Sequence, residues 1–405
     1  MVPEIYTYRN PSPDSRTKDG ALSGRRIVIQ PNMSVRGWLC DAGSLALDGF
    51  VAVEDATVVT RLRNAGAKLV GSSRMSELGF GLAGDTATPV LSAGEADIAL
   101  VTDTMGEARV AAAGSGVFGF KPSFGTVSRF GLIGLVPSME CYGILGKRLE
   151  DIIDTLSVIA GKDNDDPLMP DEAFTAFTAV REPLKLPCTA GVVKECLDLL
   201  DDRERRACST GLARLEEAGL TLREVSHSDF NLFRVVHNVV ASVEASSSAG
   251  KYDGVRYGHR SSSGKNWNEM YLNSRGESFG ALIKTFLFQG AYFQFENYPA
   301  FENACRNRRR LVRATNDLFG DVDLLVCPTR RLEHDAARAA TINQIYDAFS
   351  LTLPANVTGQ PSLHVPSLAL HSGADIGVQL IGLRLEDTRL FSIGMKLSAA
   401  TQGVE

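Results

Sequence analysis

Short apolar runs alternate with amphipathic stretches along almost the whole chain, and this alternation restricts the fold more than any other feature. Arg25–Gln30 (RRIVIQ) carries three consecutive β-prone apolar residues and reads as a strand. In Asp55–Ser73, residues Val58, Leu62 and Ala65 share one helical face, with Asp55 as the expected N-cap. Gly66 stops that helix before Ala67–Gly71 enters a strand. Ala96–Thr104 (ADIALVTDT) is a buried strand feeding a helix of small residues over Glu107–Gly114, and Leu149–Gly161 is an amphipathic helix ending on glycine. The pattern resumes with a strand in Leu184–Val193, a helix and a strand on either side of Gly219, a basic helix over Glu302–Phe319 and a buried strand in Asp321–Thr329. Such an order predicts an α/β fold, a large sheet covered on both faces by helices, with Ala96–Thr104 near its middle. Residues 1–24 are polar and read as a poorly ordered N-terminal arm, which leaves 25–405 as a single domain with no marked internal boundary.

Composition narrows the class of function. The 405 residues are 44% hydrophobic, enough for a large core. Acidic residues outnumber basic ones, 48 to 42, so nothing draws the whole chain to nucleic acid or an anionic bilayer. There is no run of about 18 apolar residues and no apolar stretch of the signal-peptide kind near the start. No membrane association is expected, and a cytoplasmic location is. Seven scattered cysteines without a CxxC pair predict reduced thiols rather than a disulfide framework or a zinc site. The six histidines show no ligand spacing, so neither a metal nor another cofactor is expected.

Chemistry concentrates in Val101–Gly134, VTDTMGEARVAAAGSGVFGFKPSFGTVSRFGLIG. This stretch resembles the defining segment of the amidase signature family. There Gly-Ser-Asp-Thr-Gly-Gly-Ser-Ile-Arg precedes a Gly-rich stretch and then Gly-Leu-Lys-Pro-Thr-Tyr-Gly-Arg-Val-Ser-Arg-Tyr-Gly-Leu. Asp103, Thr104, Gly106 and Arg109 keep the family's residues, while Glu107 stands where the nucleophilic serine would be. Gly71–Gly81, Lys251–Ser261, Met270–Gly280, Leu353–Pro366 and Gly377–Gly382 resemble further stretches, in the right order, of the family's glutamyl-tRNA(Gln) amidotransferase A-subunit branch. The resemblance covers nearly the whole chain and implies that family's fold, a large mixed β-sheet sandwiched between helices.

Family members hydrolyse amides with a Ser–cis-Ser–Lys triad, in which the lysine acts as base through the bridging serine and the second serine attacks the carbonyl. By the resemblance, the lysine position falls on Gln30, whose carboxamide accepts no proton near neutral pH. Counting back without gaps from Glu107 puts the bridging serine at Ala83, within GLAGDTATP, and the Gly-rich loop expected around it is missing. In the family that loop supplies part of the oxyanion hole, where losing one donor typically costs about 2.7–4 kcal/mol. In the A-subunit branch, an arginine and an aspartate bind the substrate's α-carboxylate and α-amino groups. Phe286 and Phe349 correspond to them, with Asp347 two residues away and able to compensate, and a pocket tyrosine falls near His237–Asn238. The resemblance thus implies no intact triad at Gln30, Ala83 and Glu107, and a residual pocket near Asp103, His237, Asn238, Phe286, Asp347 and Phe349.

Other signals compete. Gly114-x-Gly116-x-x-Gly119 matches a dinucleotide fingerprint, but a helix precedes it where the fingerprint needs a strand, so close packing is favoured. Asp103 and Glu107 stand four residues apart and could pair for acid–base work. The favoured reading instead has Glu107 meeting the helix dipole and facing a solvated remnant of the old site. The run Arg306, Arg308, Arg309, Arg310 and Arg313 could meet phosphates, including those of tRNA. Helical spacing spreads these arginines around the helix and favours a solvated or ion-paired face. Cys141 and Cys327 read as buried structural thiols.

The expectation is a non-hydrolytic family member acting as scaffold or regulator. Its expected partners are amidotransferase-like B and C subunits, with nucleic acid met only through a tRNA complex. Two alternatives stand beside it: a divergent active amidotransferase chain or amidase working through rearranged residues around Glu107, and a small-molecule binding protein using the old pocket.

Overall fold

The computed structural model describes residues 5–13, 19–170, 188–366 and 376–402. Its strands are β1 (Tyr6–Arg9), β2 (Arg26–Ile29), β3 (Lys68–Ser73), β4 (Ile98–Asp103), β5 (Phe118–Lys121), β6 (Cys141–Gly146), β7 (Cys188–Val193), β8 (Leu220–Val225), β9 (Leu324–Pro328), β10 (Ser362–Val365) and β11 (Val378–Ile381). The helices are α1 (Thr57–Asn64), α2 (Ala87–Ser92), α3 (Glu107–Ser115), α4 (Leu149–Ile159), α5 (Lys194–Asp198), α6 (Asp202–Glu217), α7 (Leu232–Ser248), α8 (Trp267–Ser278), α9 (Ala281–Phe295), α10 (Tyr298–Leu318), α11 (Ile342–Ala348), α12 (Leu353–Thr358) and α13 (Asp387–Gln402).

All eleven strands lie in one sheet, in the order β1-β3-β2-β4-β6-β5-β10-β11-β9-β7-β8. β2 runs parallel to β3 and β4, and β7 parallel to β8 and β9; the six remaining pairings are antiparallel. The large mixed sheet among helices is the expected α/β fold. β4 is interior but fourth from one edge, so the sheet's middle lies further on, at β5.

Period-two alternation divides the core. Ile27, Ile29, Ile98, Leu100 and Ile144 pack with α1 and α4, while Val28, Ala99, Val101 and Leu145 face α2 and α3. The second face is built for close approach. A Cβ on Gly143 would lie 2.3 Å from that of Ala108, and one on Gly119 would lie 2.5 Å from that of Ala112. Gly116 ends α3 in the left-handed region, at φ 64°. The glycines of the dinucleotide-like pattern therefore serve helix termination and packing.

Two local expectations are corrected. The polar stretch read as an arm contributes edge strand β1, antiparallel to β3, and Leu22 is fully buried. The tyrosines supply the reason: Tyr6 packs into the core and Tyr8 lies against Trp38, with ring centroids 4.7 Å apart. Asp55 does not cap α1. Ala56 holds that position, and Asp55 accepts the Arg36 N–H at 2.7 Å and pairs with Arg63. Of the strand expected in Leu184–Val193, residues 184–187 lie outside the described residues.

Candidate functional site

The site grows from the β4–α3 junction. Gly106 makes the turn at φ 125°, and a Cβ there would stand 2.1 Å from Thr352 Oγ1, so no other residue fits. Thr352 Oγ1 donates to Met105 O at 2.6 Å and ties α12 to this turn.

Asp103 and Arg109, both fully buried, form a two-pronged pair at 3.0 and 3.2 Å. Arg109 also donates to Thr352 O at 3.1 Å, to Gln379 Oε1 at 2.9 Å and to Asn356. Asn356 Nδ2 in turn reaches Asp103 Oδ1 at 2.8 Å. Burial opposes ionisation of Asp103, but the Arg109 charge, its hydrogen bonds, the Lys121 charge and Asn356 together hold the carboxyl below its ordinary range. This network locks β4, α3, α12 and β11 together.

Glu107, the first residue of α3, is 3% exposed. Its Oε2 accepts three backbone N–H groups, from Thr104 at 2.7 Å, Met105 at 2.8 Å and Gly106 at 3.1 Å, and Oε1 accepts the Gly81 N–H at 3.4 Å. Burial, and then the charge of Asp103, push the Glu107 carboxyl up to about 7 against the pull of those amides. The expected solvated remnant is thus corrected: the carboxylate is enclosed, and backbone amides bond both of its oxygens.

Gln30 lies at the end of β2, where its Oε1 accepts from Thr102 N at 2.8 Å and Thr102 Oγ1 at 3.0 Å. Its Nε2 donates to Asp85 Oδ2 at 2.6 Å, and burial raises the Asp85 carboxyl to about 6. Ala83 is exposed on the loop between Gly81 and Asp85. Contacts to Glu107 and Gln30 flank it on either side, so the three positions border one end of β2 and β4.

The residues of the expected pocket divide. His237 is fully buried, with Nε2 3.1 Å from Thr104 O and Nδ1 2.9 Å from Tyr346 Oη. A carbonyl only accepts, so Nε2 carries the proton and Tyr346 donates to Nδ1. Burial lowers this imidazole to about 4, hence it is neutral. Phe286 stacks on Phe80 at 4.4 Å, and Phe349 is fully buried. The compensating role expected for Asp347 is corrected: its carboxylate pairs with Arg234, at the partly exposed contact of α7 and α11. Asn238 is held by Gln289 of α9.

The amidase family profile matches residues 7–90 and 87–391. This chain belongs to the amidase signature family. Within it, the A subunit of the glutamyl-tRNA(Gln) amidotransferase of Symbiobacterium thermophilum is 32% identical over 413 aligned positions, taking in 95% of this chain and 84% of that relative. The corresponding A subunit of Haloarcula marismortui is 30% identical, with coverage of 94% and 96%. The crystal structure of the Thermotoga maritima A subunit superposes with a TM-score of 0.79 at 24% identity, covering 97% of this chain and 86% of that one. 6-Aminohexanoate cyclic dimer hydrolase gives 0.80 at 18% identity, covering 98% and 90%. A chain from a vestigial protein complex that bears on the origins of an s-triazine catabolic enzyme gives 0.82 at 22%, covering 98% and 91%. At such identities the structural likeness is one of fold.

Several participants carried no sequence signal. Asp85, Thr102, Tyr346 and Thr352 enter through contacts between distant segments, and Gln379 reaches Arg109 across 270 positions. Asn356 stands in a formal glycosylation sequon, yet it is buried in the Asp103 network. Among the described residues, no cluster of histidine, cysteine or carboxylate side chains could hold a metal, and no helix is long and apolar enough to cross a membrane.

Proposed function

We propose that this amidase-family chain does not hydrolyse amides by the serine route and works as a scaffold or regulator. One observation carries the reading. The amides of Thr104, Met105 and Gly106, which adjoin the position that by the resemblance holds the family's nucleophile, point at the chain's own Glu107 carboxylate. An oxyanion would have to displace a resident anion, and Gln30 offers a carboxamide, held at both ends, in place of a base. The names of the relatives, which are subunits of an amidotransferase, support assembly with B- and C-like partners, through which any tRNA contact would come.

The test is ammonia release from glutamine and asparagine, together with labelling by a fluorophosphonate. The expectation is neither, and Glu107→Ser alone stays inactive because its hydroxyl would have no base. Ammonia release above a buffer blank that disappears in Glu107→Ala overturns the reading.

A second reading, a divergent amidase, draws support from the Glu107 carboxyl at about 7, the range suited to a general base at neutral pH. It requires a rate that rises with pH through about 7 and is lost in Glu107→Gln. The receptor reading has less support. Phe286 against Phe80, with Phe349 and Tyr346 fully buried, leaves a ligand little to contact there.

A further inference from the structure

The arginine run of α10 separates into different environments. Arg308 turns inward and donates to Val357 O at 2.9 Å, Ser138 Oγ at 2.7 Å and Ser138 O at 2.7 Å. Arg310 pairs with Asp229, and Arg306 donates to Asn303. Arg309 and Arg313, one turn apart, make no ion pair or hydrogen bond among the described residues, and both line the same open groove of about 660 Å³. Like charges at this spacing repel each other, so the helix tolerates a cost that a bound anion would remove.

The groove lies between α7, α10 and the C-terminal end of α12. The Glu107 turn meets the other end of α12, at Thr352, about 9 Å away by helical rise. Its walls combine Phe124, Val312 and Val357 with a third cation, Arg384, whose guanidinium also reaches Phe124 O at 3.5 Å. The one carboxylate in the lining, Glu244, accepts the Ser138 N–H at 2.9 Å and faces Arg308, so these two charges offset each other. What remains is a concave, largely apolar surface with a net positive rim, in the size range of small-molecule sites.

We propose that this groove binds a small organic oxyanion, a carboxylate or phosphate monoester on an apolar body, with Arg309 and Arg313 holding the anionic group and Phe124 and Val312 taking the body. The site is separate from the Glu107 cluster and does not depend on whether that cluster is catalytic.

Phenyl phosphate, phenylacetate, inorganic phosphate and benzyl alcohol, titrated calorimetrically into the full chain, test it. Both aryl anions are expected to bind at least tenfold more tightly than phosphate or the neutral alcohol. The Arg309→Gln/Arg313→Gln variant should lose at least tenfold for both. Cys305 supplies a local readout, since it lines the groove and is the one cysteine that is not fully buried. Bound phenyl phosphate should slow its alkylation by iodoacetamide at least fivefold. Exposed Arg→Gln changes on a helix leave the fold intact, which circular dichroism verifies. Unchanged affinity in the double variant or an unprotected Cys305 overturns the proposal. So does binding of a single-stranded oligonucleotide through these arginines without binding of phenyl phosphate.

Discussion

Asp103 ends β4 and Glu107 opens α3 four residues later, both buried, and yet they behave in opposite ways. Asp103 faces the Arg109 guanidinium and stays ionised; Glu107 faces only backbone amides and a neighbouring carboxylate, and its proton affinity rises. Fixed dipoles thus orient a buried carboxylate without fully replacing its lost hydration, whereas a cation does both. Asp103 and Arg109, which by the resemblance match the family pattern, form the self-sufficient half. Glu107, which by the same resemblance departs from it, carries the electrostatic stress.

Breaking the self-sufficient half should have the largest effect. Arg109→Leu strands a buried carboxylate and should cost about 3–5 kcal/mol in urea unfolding. Adding Asp103→Asn should recover part of that loss. If the single variant unfolded like the parent, Asp103 would not depend on its cation.

Glu107 gives the next largest effect, and its sign is set by a folded-state value of about 7 against an ordinary 4.5. The folded protein holds this proton more tightly, so the contribution is complete below pH 4.5 and is lost as pH rises to about 7. Wild type should therefore lose up to about 3 kcal/mol relative to Glu107→Gln across that window. His237 and His364, pushed by burial to about 4 and about 3, act with the opposite sign below pH 6.5, but they are common to both proteins. The difference between the two stability curves isolates Glu107, and a flat difference would refute the assignment.

Gln30→Ala should cost about 1–3 kcal/mol, because the buried Thr102 N–H loses its acceptor and Asp85 a donor. Asp347→Ala should change stability by less than about 1 kcal/mol, since its pair with Arg234 is over a third exposed on both sides. A larger effect would restore Asp347 to the pocket.

The β4–α3 turn was legible because its signals are local: an apolar strand, a glycine at a crowded turn and a helix of alanines. Edge strand β1 was not. Four residues of mixed polarity become a strand only by pairing with β3, some sixty positions away. The enclosure of Glu107 was hidden for a similar reason, since α11, α12 and the Gly81 loop that surround it come from three separate parts of the chain. Asp347 was misplaced because proximity in sequence to Phe349 does not fix direction on a helix, and α11 turns it toward Arg234.

The placement of β10 and β11 has a bearing on synthesis. Every strand from β1 to β6 comes from residues 6–146 and lies on one side of this pair; β7, β8 and β9, from residues 188–328, lie on the other. Until residues 362–381 leave the ribosome, the nascent chain holds two half-sheets with β5 and β9 as bare edges, each able to pair with a neighbouring polypeptide. The seam that joins them is translated after both half-sheets, and Asp387 then fastens it by accepting from the N–H and hydroxyl of Ser123 beside β5. A message cut before residue 362 would thus release strands β1 to β9 with the two half-sheets unjoined.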